Sequence, residues 1–398
     1  MREQTELLGE FISENYEFRH NVLSDGYEMR ERCADTADFR PLTREALNTI
    51  SLRAKRIGIG NMSVRSCIEE MIYSEETPDY SPIASFMESL PEWDGQDHVG
   101  RLFSRIPGLT DQQRSLISVW MRSCVAHWTG DDLLHGNECC LTLIGSQGCG
   151  KSTFCARLLP ERLRRYYLDH INLANKNDKE MALTGNLLVN LDELDQIRPC
   201  QQAELKHTLT KSTVNGRPIY ARTQVSRRRY ASFVSTTNTM RPLLDPTGSR
   251  RYLCICIPKD SVIDNCGEID YGQLYSQILR EIRVEHLRYW YTRQEVNSIE
   301  LQNLKFRKVN DMEAMVTCCF RHPANGEKVT PLYQKEILNR LKEEFPELEM
   351  EANVSVRLGL LLKRMGFVRK SMSQGSVYLM ADRRISPVRM SHITAEAV

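Results

Sequence analysis

Leu141-Thr142-Leu143-Ile144-Gly145-Ser146-Gln147-Gly148-Cys149-Gly150-Lys151-Ser152 is the stretch whose reading decides the fold. Its first four residues form an apolar run that reads as a short strand. A loop with three glycines follows at once, and Thr153–Leu159 reads as a helix. The pattern G-x-x-x-x-G-K-S between a strand and a helix predicts a phosphate-binding loop. Its glycines let successive backbone N–H groups curl around a phosphate. The helix start adds partial positive charge. Lys151 is placed to set an ammonium between β- and γ-phosphates, and the Ser152 hydroxyl can ligate Mg²⁺. The predicted nucleotide-binding residues are Gly145, Ser146, Gln147, Gly148, Cys149, Gly150, Lys151, Ser152 and Thr153, with ATP and Mg²⁺ as the ligands.

Further along, Leu187–Leu191 is another apolar run, and it ends in Asp192-Glu193. Asp192 is predicted to hold Mg²⁺ through water, and Glu193 to polarise an attacking water as general base. Such a pair points to hydrolysis, because a kinase places its base on the acceptor. A third run, Ala231–Ser235, leads into Thr236-Thr237-Asn238, and Asn238 is the candidate amide for sensing a γ-phosphate. Asp245-Pro246-Thr247-Gly248-Ser249-Arg250-Arg251 then precedes the apolar run Tyr252–Ile257. Arg250 or Arg251 is predicted to stabilise a transferring phosphoryl group on a neighbouring subunit. The alternative is that both pair with local acids. Short apolar runs alternating with helices indicate an α/β layer with a mostly parallel sheet.

Outside this core the texture differs. Residues 1–75 read as a mainly helical accessory domain with a hairpin at Tyr16–Val22 and Tyr27–Arg32, and Glu75–Pro82 as a linker. Residues 76–137 read as a helical lead-in, 138–260 as the ATPase core, and 261–320 as a further helical segment. Residues 331–382 predict two helices followed by two strands, a winged-helix-like order, and 383–398 a tail.

Composition bounds the rest. Of 398 residues, 41% are hydrophobic and 26% charged, with a formal net charge of +1. That is ordinary for a globular protein and excludes a wholly basic DNA-coating role. No apolar run reaches the length of a membrane span and no secretory leader is visible, so a cytoplasmic location is expected. The thirteen cysteines include no Cys-x-x-Cys pair, and most read as reduced, buried thiols.

Taken in order, these elements resemble the virulence-associated protein E family of phage and mobile-element ATPases. They also resemble the helicase part of phage and poxvirus primase-helicases, the superfamily III group of the AAA+ class. The likeness rests on Ser81–Leu90, Trp93-Asp94-Gly95, Gly145–Ser152, Leu187–Glu193, Arg217–Arg222, Val234–Asn238 and Gly248–Tyr252. It implies an α/β fold: an AAA+-like P-loop NTPase core with helical flanks and a C-terminal winged-helix-like domain. It implies a ring oligomer, a hexamer, hydrolysing ATP to drive movement on single-stranded or forked DNA during replication. It further implies that the segment between the second and third motifs touches DNA through Lys211, Arg217, Tyr220, Arg222, Arg227, Arg228 and Arg229. Against that stands a solvated basic face, or arginines paired with acids of a neighbouring subunit. No primase module is visible, so priming is not carried over. Two other readings compete: an ATP-regulated DNA-binding or scaffolding switch without unwinding, and a P-loop kinase.

Overall fold

In the computed structural model the described residues are 2–32, 38–60, 63–132, 137–173, 175–194, 197, 199–216, 225–243, 249–307, 312–324, 326–327, 329, 331–346, 348, 353–372 and 375–383. The chain divides into two units, residues 1–307 and 308–398.

The first unit opens with α1 (Arg2–Asn15) and the antiparallel hairpin β1 (Tyr16–Asn21) and β2 (Gly26–Glu31). It continues with β3 (Arg40–Pro41), α2 (Arg44–Arg56), α3 (Val64–Ile72) and β4 (Asp79–Tyr80). Thr43 caps α2 through the Ala46 N–H, and Leu47, Ile50 and Ala54 recur at helical spacing to face the core. The strands form one sheet in the order β3-β2-β1-β4. Helices supply more of residues 1–75 than strands do, and the hairpin stands within a residue of the stretches predicted for it. One expectation is corrected: the Glu75–Pro82 stretch is not only a linker, because its Asp79–Tyr80 forms β4 on the β1 edge, where His20 and Val22 donate to the carbonyls of Pro78 and Tyr80.

α4 (Pro82–Glu88), α5 (His98–Phe103) and α6 (Asp111–Thr129) lead into the large sheet. α6 is bounded by a Thr110–Gln113 capping box and by Gly130 in the left-handed region. Its indoles tie it down: Trp120 Nε1 donates to Cys139 O and Trp128 Nε1 to Leu187 O. Then follow β5 (Cys140–Ile144), α7 (Lys151–Ala156), β6 (Tyr167–Leu168), α8 (Lys176–Gly185), β7 (Leu188–Asp192) and α9 (Pro199–Thr210). A hairpin of β8 (Thr213–Gly216) and β9 (Val225–Arg228) precedes β10 (Ser232–Thr237) and β11 (Tyr252–Cys256). α10 (Tyr271–Arg283) and α11 (Arg293–Gln302) complete the unit.

The five-stranded sheet has the order β11-β5-β10-β7-β6, and every pairing is parallel. All residues of β5 and β10 are buried, as a parallel sheet covered on both faces requires. After β5 the chain crosses to β6 at one edge. After β10 it crosses the other way, to β11. β5 and β10 are neighbours whose connections leave in opposite directions, and ligands of open parallel sheets bind outside the carboxyl ends of such a pair.

The second unit contains α12 (Met312–Cys319), β12 (Phe320–Arg321), β13 (Leu332–Tyr333), α13 (Gln334–Glu344), α14 (Val354–Arg364), β14 (Val368–Met372), β15 (Gly375–Leu379) and β16 (Ala381–Asp382). One small sheet has the order β13-β15-β14, and β12 pairs with β16. α12 packs its Met315 and Val316 into the same core as Leu338, Leu358 and Tyr378. The predicted helical segment ending at residue 320 is therefore cut between the two units, since α12 buries its apolar face in the second. The predicted tail lies outside the described residues, apart from Arg383. Among the described residues, no helix is long and apolar enough to cross a membrane.

Candidate functional site

The glycine loop joins β5 to α7 at the carboxyl edge of the sheet. Gly148 and Gly150 have φ of +80° and +87°, a region costly to residues with a Cβ. α7 is short (six residues), so the loop's own amides matter more here than a helix dipole. Lys151 is buried, and its ammonium is fixed by three oxygens. It donates to Gly145 O at 2.8 Å, Ser146 O at 2.9 Å and Asn238 Oδ1 at 2.9 Å. The first two partners are carbonyls of its own loop. The third lies just beyond β10.

The register of the sheet brings the other predicted residues to this edge. Thr236 pairs with Asp192, and Thr237 with Ile144, so the ends of β5, β10 and β7 lie side by side. The Thr236 hydroxyl donates to Asp192 Oδ1. Glu193 follows with φ of +51°, one of four non-glycine residues with positive φ among those described. That backbone costs roughly 1–3 kcal/mol, and such outliers cluster at functional sites. The turn redirects the chain directly after Asp192, leaving Asp192, Glu193 and Asn238 exposed. Ser152 and Thr153, also exposed, lie in the first turn of α7, which packs against β7 and β10. The oxygens of Ser152 and Asp192 suit a hard cation such as Mg²⁺. Cys155 on α7 is no competitor for such chemistry: burial, and secondarily the Asp192 charge, push its thiol up to about 12.

Sequence reasoning missed Thr236 as the Asp192 partner. The signal was present, because a hydroxyl at the tip of a buried strand must find an acceptor. It also missed Asn265, which donates to Gly150 O at 2.9 Å and lies in a stretch with no motif.

Arg250 and Arg251 stand elsewhere. They form the 3₁₀ turn Ser249–Arg251 that enters β11, and Tyr252 pairs with Cys140. They therefore lie at the amino edge of the sheet, a strand length of roughly 17 Å from the loop. Neither can serve the glycine loop of its own chain. The turn is held by Asn303, whose amide donates to Ser249 O and Tyr252 O at 2.7 Å each, and by Arg307, which donates to Ser249 Oγ. Arg250 is exposed and Arg251 partly buried.

The predicted DNA-contacting residues separate into three groups. Arg217, Tyr220 and Arg222 lie outside the described residues. Lys211 is partly exposed at the end of α9. Arg227, Arg228 and Arg229 turn inward. Arg229 is fully buried and donates to the carbonyls of Ala231, Thr208, Leu209, Lys211 and Asn137. Burial lowers its pKa to about 10. Arg228 donates to His127 O and lies 4.8 Å over the Tyr230 ring. Arg227 pairs with Asp25 of the N-terminal hairpin at 3.5 Å. The assignment of Arg229 to DNA is thus corrected, because the carbonyls around it consume its donors and leave no surface for a phosphate.

The cysteines with described side chains are free thiols, and among the described residues no group of three or more His, Cys, Asp or Glu side chains could hold a metal ion. A magnesium site made of one carboxylate, one hydroxyl and ligand phosphates is of a different kind.

Comparison with known proteins adds the following. A family model for the virulence-associated protein E-like domain matches residues 87–308. A second model, described as a domain of unknown function, matches residues 311–380. No curated protein matches the chain. Among solved structures the chain is similar to the A form apo structure of the NrS-1 C-terminal region, with TM-score 0.42 and 14% identity over 94% of this chain and 98% of that one. A second apo structure of that region gives TM-score 0.44 and 12% identity over 95% and 99%. The virulence-associated protein E-like match spans more than half of the sequence, and the chain belongs to that family.

Proposed function

We propose that this protein hydrolyses ATP and couples the reaction to movement on DNA during replication of a phage or other mobile element. One observation carries the reading. Three adjacent strand ends deliver a glycine loop with its lysine, an Asp-Glu pair and an amide to one edge, at the switch point of a parallel sheet. A P-loop NTPase needs these groups together.

Each side chain then has a role. Backbone N–H groups of the loop bind the β-phosphate. The Lys151 ammonium, already held at the loop by Asn238, exchanges carbonyl partners for phosphate oxygens. Ser152 and Asp192 would hold Mg²⁺, which when bound neutralises charge on the phosphates. Thr236 orients Asp192 by its hydrogen bond. Glu193 takes a proton from the attacking water, and Asn238 hydrogen-bonds the γ-phosphate or that water. Arg250, the more exposed of the two arginines, acts on the nucleotide of the next subunit in a ring, a hexamer in this reading. The helix–strand–strand–helix–helix–hairpin order of residues 312–379 is read as a winged-helix-like domain, with Lys363, Arg369 and Lys370 exposed toward a polyanion.

The experiment is ATP hydrolysis by the purified chain with and without single-stranded or forked DNA, beside Lys151→Ala and Glu193→Gln. A wild type that binds no nucleotide sinks the proposal. Intact binding without DNA stimulation removes the DNA half of it. Sizing with and without ATP tests the ring, and a strict monomer in every condition removes the trans arginine. One observation favours a second reading, an ATP-regulated switch that does not unwind DNA. The arginines at the root of the β8–β9 hairpin are engaged within the chain and leave little basic surface there.

A further inference from the structure

We propose that the segment Ile263–Gly267 presets the phosphate-binding amides of the glycine loop, with Asn265 as the positioning residue. The inference rests on the nucleotide-site reading above and extends it to a segment that carries no motif.

After β11 the chain does not enter a helix until Tyr271. It runs back over the glycine loop and takes hold of two of its carbonyls. The Ile263 N–H donates to Cys149 O at 2.9 Å, and the Asn265 amide donates to Gly150 O at 2.9 Å. In a planar trans peptide, C=O and the following N–H point in opposite directions. The described peptide bonds are all trans. Tying back the Cys149 carbonyl therefore turns the Gly150 N–H to the other side of the loop. The Gly150 carbonyl accepts from the Asn265 amide and also from the Phe154 N–H of α7 at 3.0 Å, and the two donors together turn the Lys151 N–H the same way. These are two successive amides of the concave nest an anion would enter. The approach is close: a Cβ on Gly150 would lie 2.4 Å from Asn265 Nδ2. The other half of the Asn265 amide, Oδ1, is buried without a partner, so the donor is the half in use.

The segment is itself anchored by side chains outside the loop. The Arg157 guanidinium, at the end of α7, donates to the carbonyls of Asn265 and Gly267. The Arg105 guanidinium donates to Cys266 O at 2.6 Å and Glu268 O at 2.8 Å. Tyr271 Oη donates to Arg157 O at 2.7 Å. A nest held open from behind needs less ordering when a phosphate arrives, which raises affinity in ground state and transition state alike.

The test uses the full chain with Asn265→Asp, which keeps the shape and loses the donor, and Asn265→Ala, which removes the group. Fluorescent ADP binding, steady-state ATP hydrolysis and amide hydrogen exchange of the nucleotide-free protein are measured. The expected result is about tenfold weaker ADP binding and a matching rise in KM with kcat within about twofold, the size of one lost hydrogen bond. Exchange should accelerate in the segment 148–152 and not in β5, β7 or β10. Unchanged affinity and exchange in both variants overturn the proposal, and so does acceleration spread through those strands. If the wild type binds no nucleotide, the nucleotide-site reading fails, and exchange alone decides: faster exchange confined to 148–152 upholds the tether, and unchanged exchange overturns it.

Discussion

Two regions of the first unit caught attention by composition alone: the glycine loop Gly145–Ser152 and the basic stretch from Lys211 to Arg229. The structure treats them oppositely. At the loop, the reading rests on backbone conformation, and residues distant in sequence arrive beside it because parallel strands must end together. In the basic stretch, side chains carry the charge, and nothing in the sequence says which way they point. Arg229 enters the core and binds five carbonyls, while Arg227 and Arg228 bond to the N-terminal hairpin and α6. A motif read through backbone geometry predicts its own surroundings. A run of arginines predicts only that some acceptor, inside or outside the molecule, will be found.

This contrast can be broken by mutation. The largest effect is expected at the loop. Lys151→Ala should lower ATP hydrolysis by on the order of 10²–10⁵ and weaken nucleotide binding, as read by steady-state turnover and ADP titration. Glu193→Gln should retain binding and lower turnover by about 10²–10⁴, the usual worth of a general base. Normal hydrolysis by this variant would remove Glu193 from its role.

In the basic stretch the expected loss is of stability instead. Arg229→Ala strands several buried carbonyls and should destabilise the unit by about 3–5 kcal/mol in denaturant unfolding, a cost typical of breaking a buried charged network. A folded, equally stable Arg229→Ala protein that has lost DNA binding would erase the distinction between the two regions. The smallest effect belongs to Asp25→Ala. The Asp25 side chain is 54% exposed, so losing its pair with Arg227 should cost less than about 1 kcal/mol, and less still at high salt.

Legibility followed the same division. The strands Cys140–Ile144, Leu188–Asp192 and Tyr252–Cys256 were readable as apolar runs, because a strand covered on both faces carries mostly apolar side chains. Ser232–Thr237 was readable only through Phe233 and Val234, since its Ser232, Ser235, Thr236 and Thr237 are buried as well. β4 was not readable, since two residues between prolines give no periodicity; it exists because β1 offers an edge. The boundary near residue 308 was missed for a similar reason. α12 is amphipathic in either unit, and only its packing against Leu338 and Leu358 assigns it. Arg250 and Arg251 were singled out by their place before a strand, but their distance from the loop needed the strand direction and register.

Sequence alone determined the local devices of this protein: a glycine loop that only a strand–helix junction can use, an acid pair ending a buried strand, and the parallel α/β texture that joins them. Those depend on contacts within a few residues and on backbone conformations that particular side chains permit. Tertiary structure alone decided which distant groups meet. It set Asn238 against Lys151, Thr236 against Asp192 and Asn265 behind Gly150, sent Arg229 inward, and put Arg250 on the opposite edge. The reason is physical: buried donors and acceptors must be paired, and the partner is chosen by strand order and packing, which no short stretch of sequence encodes.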